Sequence, residues 1–379
     1  MTRRERLMAT LRGEPVDRPA VSFYEINGLD QDPDDPDPFS IYSHPSWRAL
    51  IELARDRTDR IVMRGVSVST PGPDPVREAT RRETVERDGS RYTIERVHAA
   101  DRMLTRRTRR DRDIDTVWTE EHLLKDAGDL RAYLSLLADA DPAAATAVDT
   151  EPVHAAEEAI GESGIVMIDT ADPLCLAASL FSMEEYTVIA LTERRLFHEL
   201  LERLAVPLLE KTRAVSAALP GRLWRIYGPE YASPPYLPPF LFREYVCRYV
   251  EPMVRAIQHH GGYARVHSHG NLRDILDDIA AMGVDGLDPI EPPSQGDVEL
   301  REVRERHGRQ MVLFGNIEAS DLETLPTSKF ADKVERALAQ GTAGTGRGFV
   351  LMPSSCPYGR ELSLLAVRNY ETMVDLVER

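Results

Sequence analysis

Cysteine is scarce in this chain of 379 residues, which carries three: Cys175, Cys247 and Cys356. An odd number of cysteines without C-x-x-C spacing implies no disulfide framework. The chain therefore suits a reducing compartment, where disulfides are rare. Cys175 and Cys247 fall inside apolar helical patterns and are predicted to be small buried side chains.

Basic residues are also fewer than acidic residues in this chain. The 47 Lys and Arg face 63 Asp and Glu, for a net charge of -16. Phosphate groups require a basic surface, so nucleic acid and anionic membrane are excluded as partners. No apolar run approaches the length of a membrane span, and the opening residues lack the apolar centre of a signal peptide. We therefore expect a cytoplasmic protein.

Apolar residues make up 42% of the chain, enough for a core. Eight short apolar runs are candidate strands, at about 19–24, 60–65, 163–169, 223–228, 263–268, 284–288, 311–315 and 348–353. Helical patterns separate most of them, among them Glu193–Ala218, Phe240–His259 and Leu272–Met282. Alternating strands and helices favour a parallel sheet, and eight repeats favour a (β/α)8 TIM barrel. We expect one such α/β domain over residues 1–379.

Some stretches break this alternation. Residues from about 71 to 116 are predicted to form a β-rich insertion, with Asp88-Gly89 as a hairpin turn. The tract 138–147, rich in Ala and Asp, is predicted to be a mobile connection.

His267 and His269 form the most informative motif. They stand two residues apart at the end of a predicted strand, so both imidazoles face the same side. Cys356 follows a later apolar run and supplies a third candidate ligand. Three protein ligands and one open position describe a catalytic zinc site. The alternative is a pair of hydrogen-bonding histidines without metal.

Polar side chains recur where the predicted strands end. In a (β/α)8 barrel these ends converge on the face that carries the active site, although loops are polar in any fold. Glu230 and Asp169 are the candidate catalytic residues. The candidates for binding substrate are Tyr24, Arg64, Tyr231, Asn316 and Glu291.

Each of these residues also has a structural interpretation. Glu230 can cap a turn or pair with an arginine, and Asp172, close to Asp169, suits a helix N-cap. Glu291 precedes two prolines and can support a histidine ligand or lie on a surface loop. Asn316 suits a turn at the end of a strand, and Tyr24 and Tyr231 can serve packing alone.

Long segments of the chain resemble the uroporphyrinogen decarboxylase-like superfamily of (β/α)8 barrels, which also contains cobalamin-linked, zinc-dependent methyltransferases. The similar segments are Arg3–Leu7 with Leu11–Pro19, Tyr227–Pro235, His267–Asn271, Asp288–Pro293 and Gly315–Glu318. The resemblance implies a barrel over nearly the whole chain and leaves a homodimer open.

Two departures narrow what the resemblance implies. True uroporphyrinogen decarboxylases carry N-terminal arginines that hold the carboxylates of their substrate, whereas the corresponding region here, 22–28, contains Glu25 and no arginine. The zinc methyltransferases typically carry His-x-Cys and a distant Cys, whereas this chain has His267, His269 and Cys356. A His2Cys set is chemically suitable for zinc. Replacing a thiolate with imidazole favours activation of an oxygen substrate over a thiol.

The leading hypothesis is a zinc-dependent methyltransferase-like enzyme. It would move a methyl group between a small O- or N-methylated substrate and a carrier, either tetrahydrofolate or a corrinoid on a separate protein. Two alternatives stay open: a metal-free decarboxylase of a small acid, and a non-catalytic barrel that binds a ligand. Metal content separates the first hypothesis from the other two.

Overall fold

The computed structural model describes residues 1–138 and 147–379. The connection predicted at 138–147 lies almost wholly outside these residues. The strands are β1 Ala20–Val21, β2 Arg60–Arg64, β3 Val68–Ser69, β4 Thr80–Arg87, β5 Ser90–Ala99, β6 Arg102–Asp111, β7 Val117–Glu121, β8 Ala147–Val148, β9 Gly164–Ala171, β10 Leu223–Tyr227, β11 Tyr263–His267, β12 Gly286–Asp288, β13 Val312–Ile317 and β14 Phe349–Pro353.

Most helices pack on the outer face of the main sheet, whereas the first helix, Arg3–Arg12, precedes the first strand and contributes Leu7 and Leu11 to the cluster inside the sheet. They are α1 Arg3–Arg12, α2 Arg48–Arg57, α3 Pro75–Ala79, α4 Ala127–Ala138, α5 Glu151–Ile160, α6 Pro173–Ala178, α7 Met183–Thr192, α8 Arg194–Ala218, α9 Pro239–Phe242, α10 Arg248–His259, α11 Leu276–Ala281, α12 Leu300–His307, α13 Ala319–Thr324, α14 Thr327–Gly341 and α15 Leu364–Glu378.

Eight strands form one parallel, curled sheet in the order β1-β14-β13-β12-β11-β10-β9-β2. All eight predicted strands are present, with ends within about three residues of the prediction. A backbone hydrogen bond of 2.7 Å runs from the Asp59 amide, just before β2, to the Val21 carbonyl in β1, so the two edge strands approach each other. The α/β fold and its curled eight-stranded sheet are confirmed, and they are compatible with a TIM-like barrel.

The alternation of side chains along the strands produces two cores. On β13, Val312 and Phe314 pack in a cluster inside the curled sheet, together with Met352 of β14. Leu313 and Ile317 point the other way, into the larger cluster between the sheet and the helices. Both faces of the sheet are therefore covered, as a parallel sheet requires.

The helix predictions hold with one exception. The pattern over 193–218 forms α8. The pattern over 240–259 forms α9, a π-helical turn at Arg243–Cys247 and α10. The helix expected at Leu272–Met282 is wrong in its first turn, because α11 begins at Leu276. The backbone amide of Leu272 instead bonds the Asp297 carboxylate at 2.8 Å, which stabilises a loop.

The insertion is a four-stranded antiparallel sheet in the order β4-β5-β6-β7, and it extends past the predicted end to Glu121. Asp88 and Gly89 adopt φ of 52° and 79°, which is the geometry of a two-residue hairpin turn. The loop after β6 docks on the segment that follows Cys356, since the Asp115 amide donates to the Tyr358 carbonyl at 2.8 Å. The insertion thus lies beside the carboxyl ends of the eight parallel strands. We call this end of the sheet the mouth.

Within the described ranges, 1–138 and 147–379, no helix combines the length and apolar character needed to span a bilayer.

Candidate active site at the mouth of the sheet

A buried carboxylate fixes each histidine of the pair. His267 ends β11 in register with Asp288 of β12, and its Nδ1 lies 2.7 Å from Asp288 Oδ2. His269 Nδ1 lies 2.9 Å from Glu291 Oε1, and the other oxygen of Glu291 accepts the Gly270 amide at 2.7 Å. The two rings are 4.6 Å apart and nearly perpendicular. The two imidazoles therefore lie together as the sequence predicted, each held through Nδ1, although His269 follows the end of β11.

Tyr24 covers the free nitrogen of His267. The two rings stack at 5.5 Å with an interplanar angle of 18°, and the phenol oxygen lies 3.4 Å from His267 Nε2. Burial raises the pKa of Tyr24 well above its usual range, so the phenol keeps its proton at neutral pH. Asp288, His267 and Tyr24 form a connected chain in which the Tyr24 hydroxyl can donate a hydrogen bond to His267 Nε2.

Two arginines missed by the sequence analysis support this chain. Arg225 of β10 binds Asp169 of β9 through two contacts of 2.6 and 3.0 Å and also donates to the Tyr24 hydroxyl. Arg265 of β11 is 1% exposed and lies 2.8 Å from Asp288, without hydrogen-bond alignment between the two groups. In the sequence, each of them stands out only as an arginine within an apolar predicted strand.

Neighbouring charges shift the pKa values of Asp288 and His269. Burial raises the pKa of Asp288, but the charges of Arg265 and His267 outweigh burial and hold its pKa below the usual value. Burial lowers the pKa of His269, but the hydrogen bond and charge of Glu291 outweigh it and leave the pKa raised. The two groups therefore shift each other in opposite directions, since the His269 charge also helps to lower the pKa of Glu291.

Cys356 lies at another side of the same cluster. Its Sγ is 3.6 Å from Glu25 Oε2, and Glu25 reaches Arg225 at 3.4 Å. Burial first, and then the Glu25 charge, raise the pKa of the Cys356 thiol to about 12, so it is protonated at neutral pH. In the described part of the chain, no group of three or more His, Cys, Asp or Glu side chains is arranged to hold a metal ion. The histidines are oriented as ligands would be, whereas Cys356 is turned to Glu25.

The other predicted residues divide into two groups. Glu230 accepts the Gly228 amide at 3.0 Å, which is the turn-capping role, yet its charge also contributes to the raised pKa of His269. Arg64 pairs with Asp30 at 2.7 Å. Tyr231 accepts a hydrogen bond from Tyr186 through its carbonyl. Glu230 thus lies within electrostatic reach of the histidines, whereas Arg64 is engaged by a loop.

Asn316 lines a neighbouring cavity of about 230 Å³ together with Glu318. Burial, followed by the charge of Glu291, raises the pKa of Glu318. One of its oxygens, Oε2, is buried without a hydrogen-bond partner among the described residues. Glu318 ends the segment Gly315–Glu318, and its sequence context predicted no role for it. The alternative for Asp172 is confirmed, because it caps α6 through the Cys175 amide at 2.6 Å.

The interior below Tyr24 is closed. A cavity of about 10 Å³ lies between Tyr24, Arg265 and Met352, which is close to the smallest space that holds one water molecule. This space is too small for a substrate. The charged groups that surround this point are the carboxylates Glu25, Asp169, Glu230, Asp288 and Glu291 and the guanidinium groups Arg225 and Arg265. Acidic charge is in excess.

Comparison with known proteins adds one match. A family model described as Uroporphyrinogen decarboxylase (URO-D) matches residues 134–378, which cover both histidines, Cys356 and every strand from β8 to β14. No curated protein gives a significant match.

Proposed function

This chain belongs to the uroporphyrinogen decarboxylase family, and from that premise we propose that it is a methyltransferase-like enzyme acting on a small O- or N-methylated substrate. The observation that carries the proposal is the histidine pair, because each ring is fixed through Nδ1 by its own carboxylate. Histidine ligands of metals are typically held this way, with Nε2 left for the ion.

The charge of the mouth supports a neutral or cationic substrate. Both arginines are already engaged, Arg225 by Asp169 and Arg265 by Asp288. A substrate with several carboxylates would bring uncompensated negative charge beside Glu25 and Glu291, and desolvating such groups without cations is costly. A methylated amine or ether has no negative charge and avoids this desolvation cost.

The residues fit a zinc ion in part. His267, His269 and Cys356 would hold it, and zinc accepts imidazole and thiolate together. To bind it, the Tyr24 hydroxyl would have to leave His267 Nε2, and the Cys356 thiol would have to leave Glu25 and lose its proton. Among the described residues these side chains do not form a three-ligand set. When bound, zinc would act as a Lewis acid on the heteroatom that carries the methyl group.

The protein's own groups have separate tasks. Asp288 and Glu291 orient the two imidazoles. Tyr24 closes the floor and keeps its proton near His267, while Arg225 holds Tyr24 in position. Glu230 lies on the turn beside the histidines and would accept or return a proton at the departing heteroatom.

Loss of carbon dioxide from a small acid is the second candidate. The Asp288–His267–Tyr24 chain favours it, because decarboxylation leaves a carbanion that must be protonated, and Tyr24 is a buried neutral donor. In this alternative the two histidines act without metal.

The experiment compares the reactions directly. The purified protein is incubated with uroporphyrinogen, and separately with methylated amines and aryl methyl ethers plus a reduced corrinoid acceptor. Zinc-dependent methyl transfer with no carbon dioxide from uroporphyrinogen is expected. Release of carbon dioxide from uroporphyrinogen, or no methyl transfer in the presence of zinc, would contradict the proposal.

A further inference from the structure

Asp172 is a buried carboxyl group just after β9, and capping α6 uses only one of its two oxygens. Its side chain has no exposed surface. Oδ1 accepts the Cys175 amide at 2.6 Å. Oδ2 is buried and has no hydrogen-bond partner among the described residues. Such an atom is rare in folded proteins, and the helix cap does not account for it.

The turn that carries Glu230 packs directly on Asp172. The Asp172 amide donates to the Tyr227 carbonyl at 2.8 Å. Gly228 has a φ of 119°, and a Cβ atom there would lie 2.5 Å from Asp172 Oδ1, so a side chain would collide with the carboxyl group. The Gly228 amide in turn donates to Glu230 Oε2 at 3.0 Å. Asp172 and Glu230 therefore approach the same glycine.

Burial and negative charge keep a proton on Asp172. Burial outweighs the hydrogen bond from the Cys175 amide and, together with the charge of Glu230, raises the pKa of Asp172 well above its usual value. In the described part of the chain no cation forms a salt bridge with Asp172. Asp169 acts on Cys175 as well, but it is paired with Arg225. The titratable groups around Asp172 are Cys175, Tyr186, Tyr227, Glu230 and Tyr231.

Glu230 connects this buried acid with the mouth. One of its oxygens accepts the Gly228 amide, and its charge contributes to the raised pKa of His269. Since Oδ1 of Asp172 already accepts a hydrogen bond, the proton resides on Oδ2. A neutral acid and a carboxylate that lie close together can share one proton.

We propose that Asp172 and Glu230 form a carboxyl pair that stores one proton for the mouth, with Asp172 holding the proton and passing it to Glu230 directly or through one water molecule. In the transfer the Oδ2–H bond of Asp172 breaks as an O–H bond forms on Glu230. Glu230 then gives the proton to the departing heteroatom and returns to a carboxylate, and water reprotonates Asp172 through Glu230. The use of the proton rests on the function proposed above, whereas its storage does not. Asp172 acts through Glu230 and is a positioning residue.

Infrared spectroscopy of the full-length protein at neutral pH detects the stored proton, because a carboxylic acid and a carboxylate absorb at different frequencies. Asp172→Asn removes the acid and keeps a residue that caps helices. The difference spectrum between wild type and Asp172→Asn should contain a carboxylic-acid band. Asp169→Asn is the matched control, and its difference spectrum should lack the band because Arg225 holds Asp169 as a carboxylate. Absence of the band for Asp172→Asn would overturn the proposal.

Rapid mixing into D2O tests the route of the proton. The Asp172 band shifts when deuterium replaces the proton, and Glu230→Gln should slow this shift at least several-fold. Glu184→Gln, which changes an exposed acid on α7, should leave the rate unchanged. Equal rates in wild type and Glu230→Gln would overturn the pair. Neither measurement requires turnover, so a failure of the proposed function stays distinguishable. Where methyl transfer is observed, Asp172→Asn should lower kcat and leave KM unchanged, and an unchanged kcat would overturn the catalytic use of the proton.

Discussion

The buried pair of Arg265 and Asp288 makes the sharpest prediction about stability. Asp288 is fully buried, Arg265 is 1% exposed, and their charged groups lie 2.8 Å apart. Asp288→Asn removes the anion and leaves the guanidinium buried, with the like charge of Arg225 acting on it. Removing one partner of a buried ion pair costs about 3–5 kcal/mol. The free energy of unfolding should fall by that amount.

Urea unfolding followed by circular dichroism measures the change, provided that the slope with denaturant stays constant. Asp277→Asn is the control, because Asp277 is 74% exposed in its pairs with His307 and Arg306. A loss below about 1 kcal/mol is expected there. The double variant Arg265→Met with Asp288→Asn should be more stable than Asp288→Asn alone, since no charge is left unpaired. A loss below about 1 kcal/mol for Asp288→Asn itself would refute this reasoning.

Three further predictions concern pH, the thiol and the insertion. The pKa of Asp288 is lowered in the folded state, so the ionised carboxylate stabilises the fold above its ordinary pKa of 3.8. This contribution is lost as pH falls through the folded pKa. The difference in the free energy of unfolding between wild type and Asp288→Asn should therefore shrink below pH 3.8. The pKa of Cys356 is raised to about 12, so its alkylation by iodoacetamide at pH 7 should be slow. Glu25→Gln should speed alkylation of Cys356 several-fold and leave alkylation of Cys247 unchanged, which peptide mass spectrometry measures. Arg360 donates to the carbonyls of Pro38, Ser40 and Arg112 at 3.0–3.1 Å, so Arg360→Met should open the loop 113–115 to limited proteolysis; an unchanged cleavage pattern would contradict its role.

Much of the fold could be predicted from the sequence because strand and helix periods are local properties. The eight apolar runs became the strands of the curled sheet, and Asp88-Gly89 became a hairpin turn. The helix expected from Leu272 failed in its first turn because of Asp297, 25 residues away, whose carboxylate holds the Leu272 amide. A pattern along the chain contains no information about such a partner.

The site could be predicted only in part. The spacing of His267 and His269 predicted rings that face the same side of a strand, and the rings do lie 4.6 Å apart, although His269 follows the end of β11. Arg225 and Arg265 could not be found, because an arginine in an apolar strand is explained only by the carboxylate on the adjacent strand. Cys356 was expected beside the histidines, and its contact with Glu25 depends on how two distant loops meet.

Zinc content tests the central claim most directly. The wild-type protein, equilibrated with zinc and freed of excess metal by gel filtration, should retain one zinc per chain by elemental analysis. His267→Ala, His269→Ala and Cys356→Ser should each retain far less, whereas His259→Ala, at the far end of α10, should match the wild type. Zinc retained by the triple variant, or absent from a correctly folded wild type, would contradict the account.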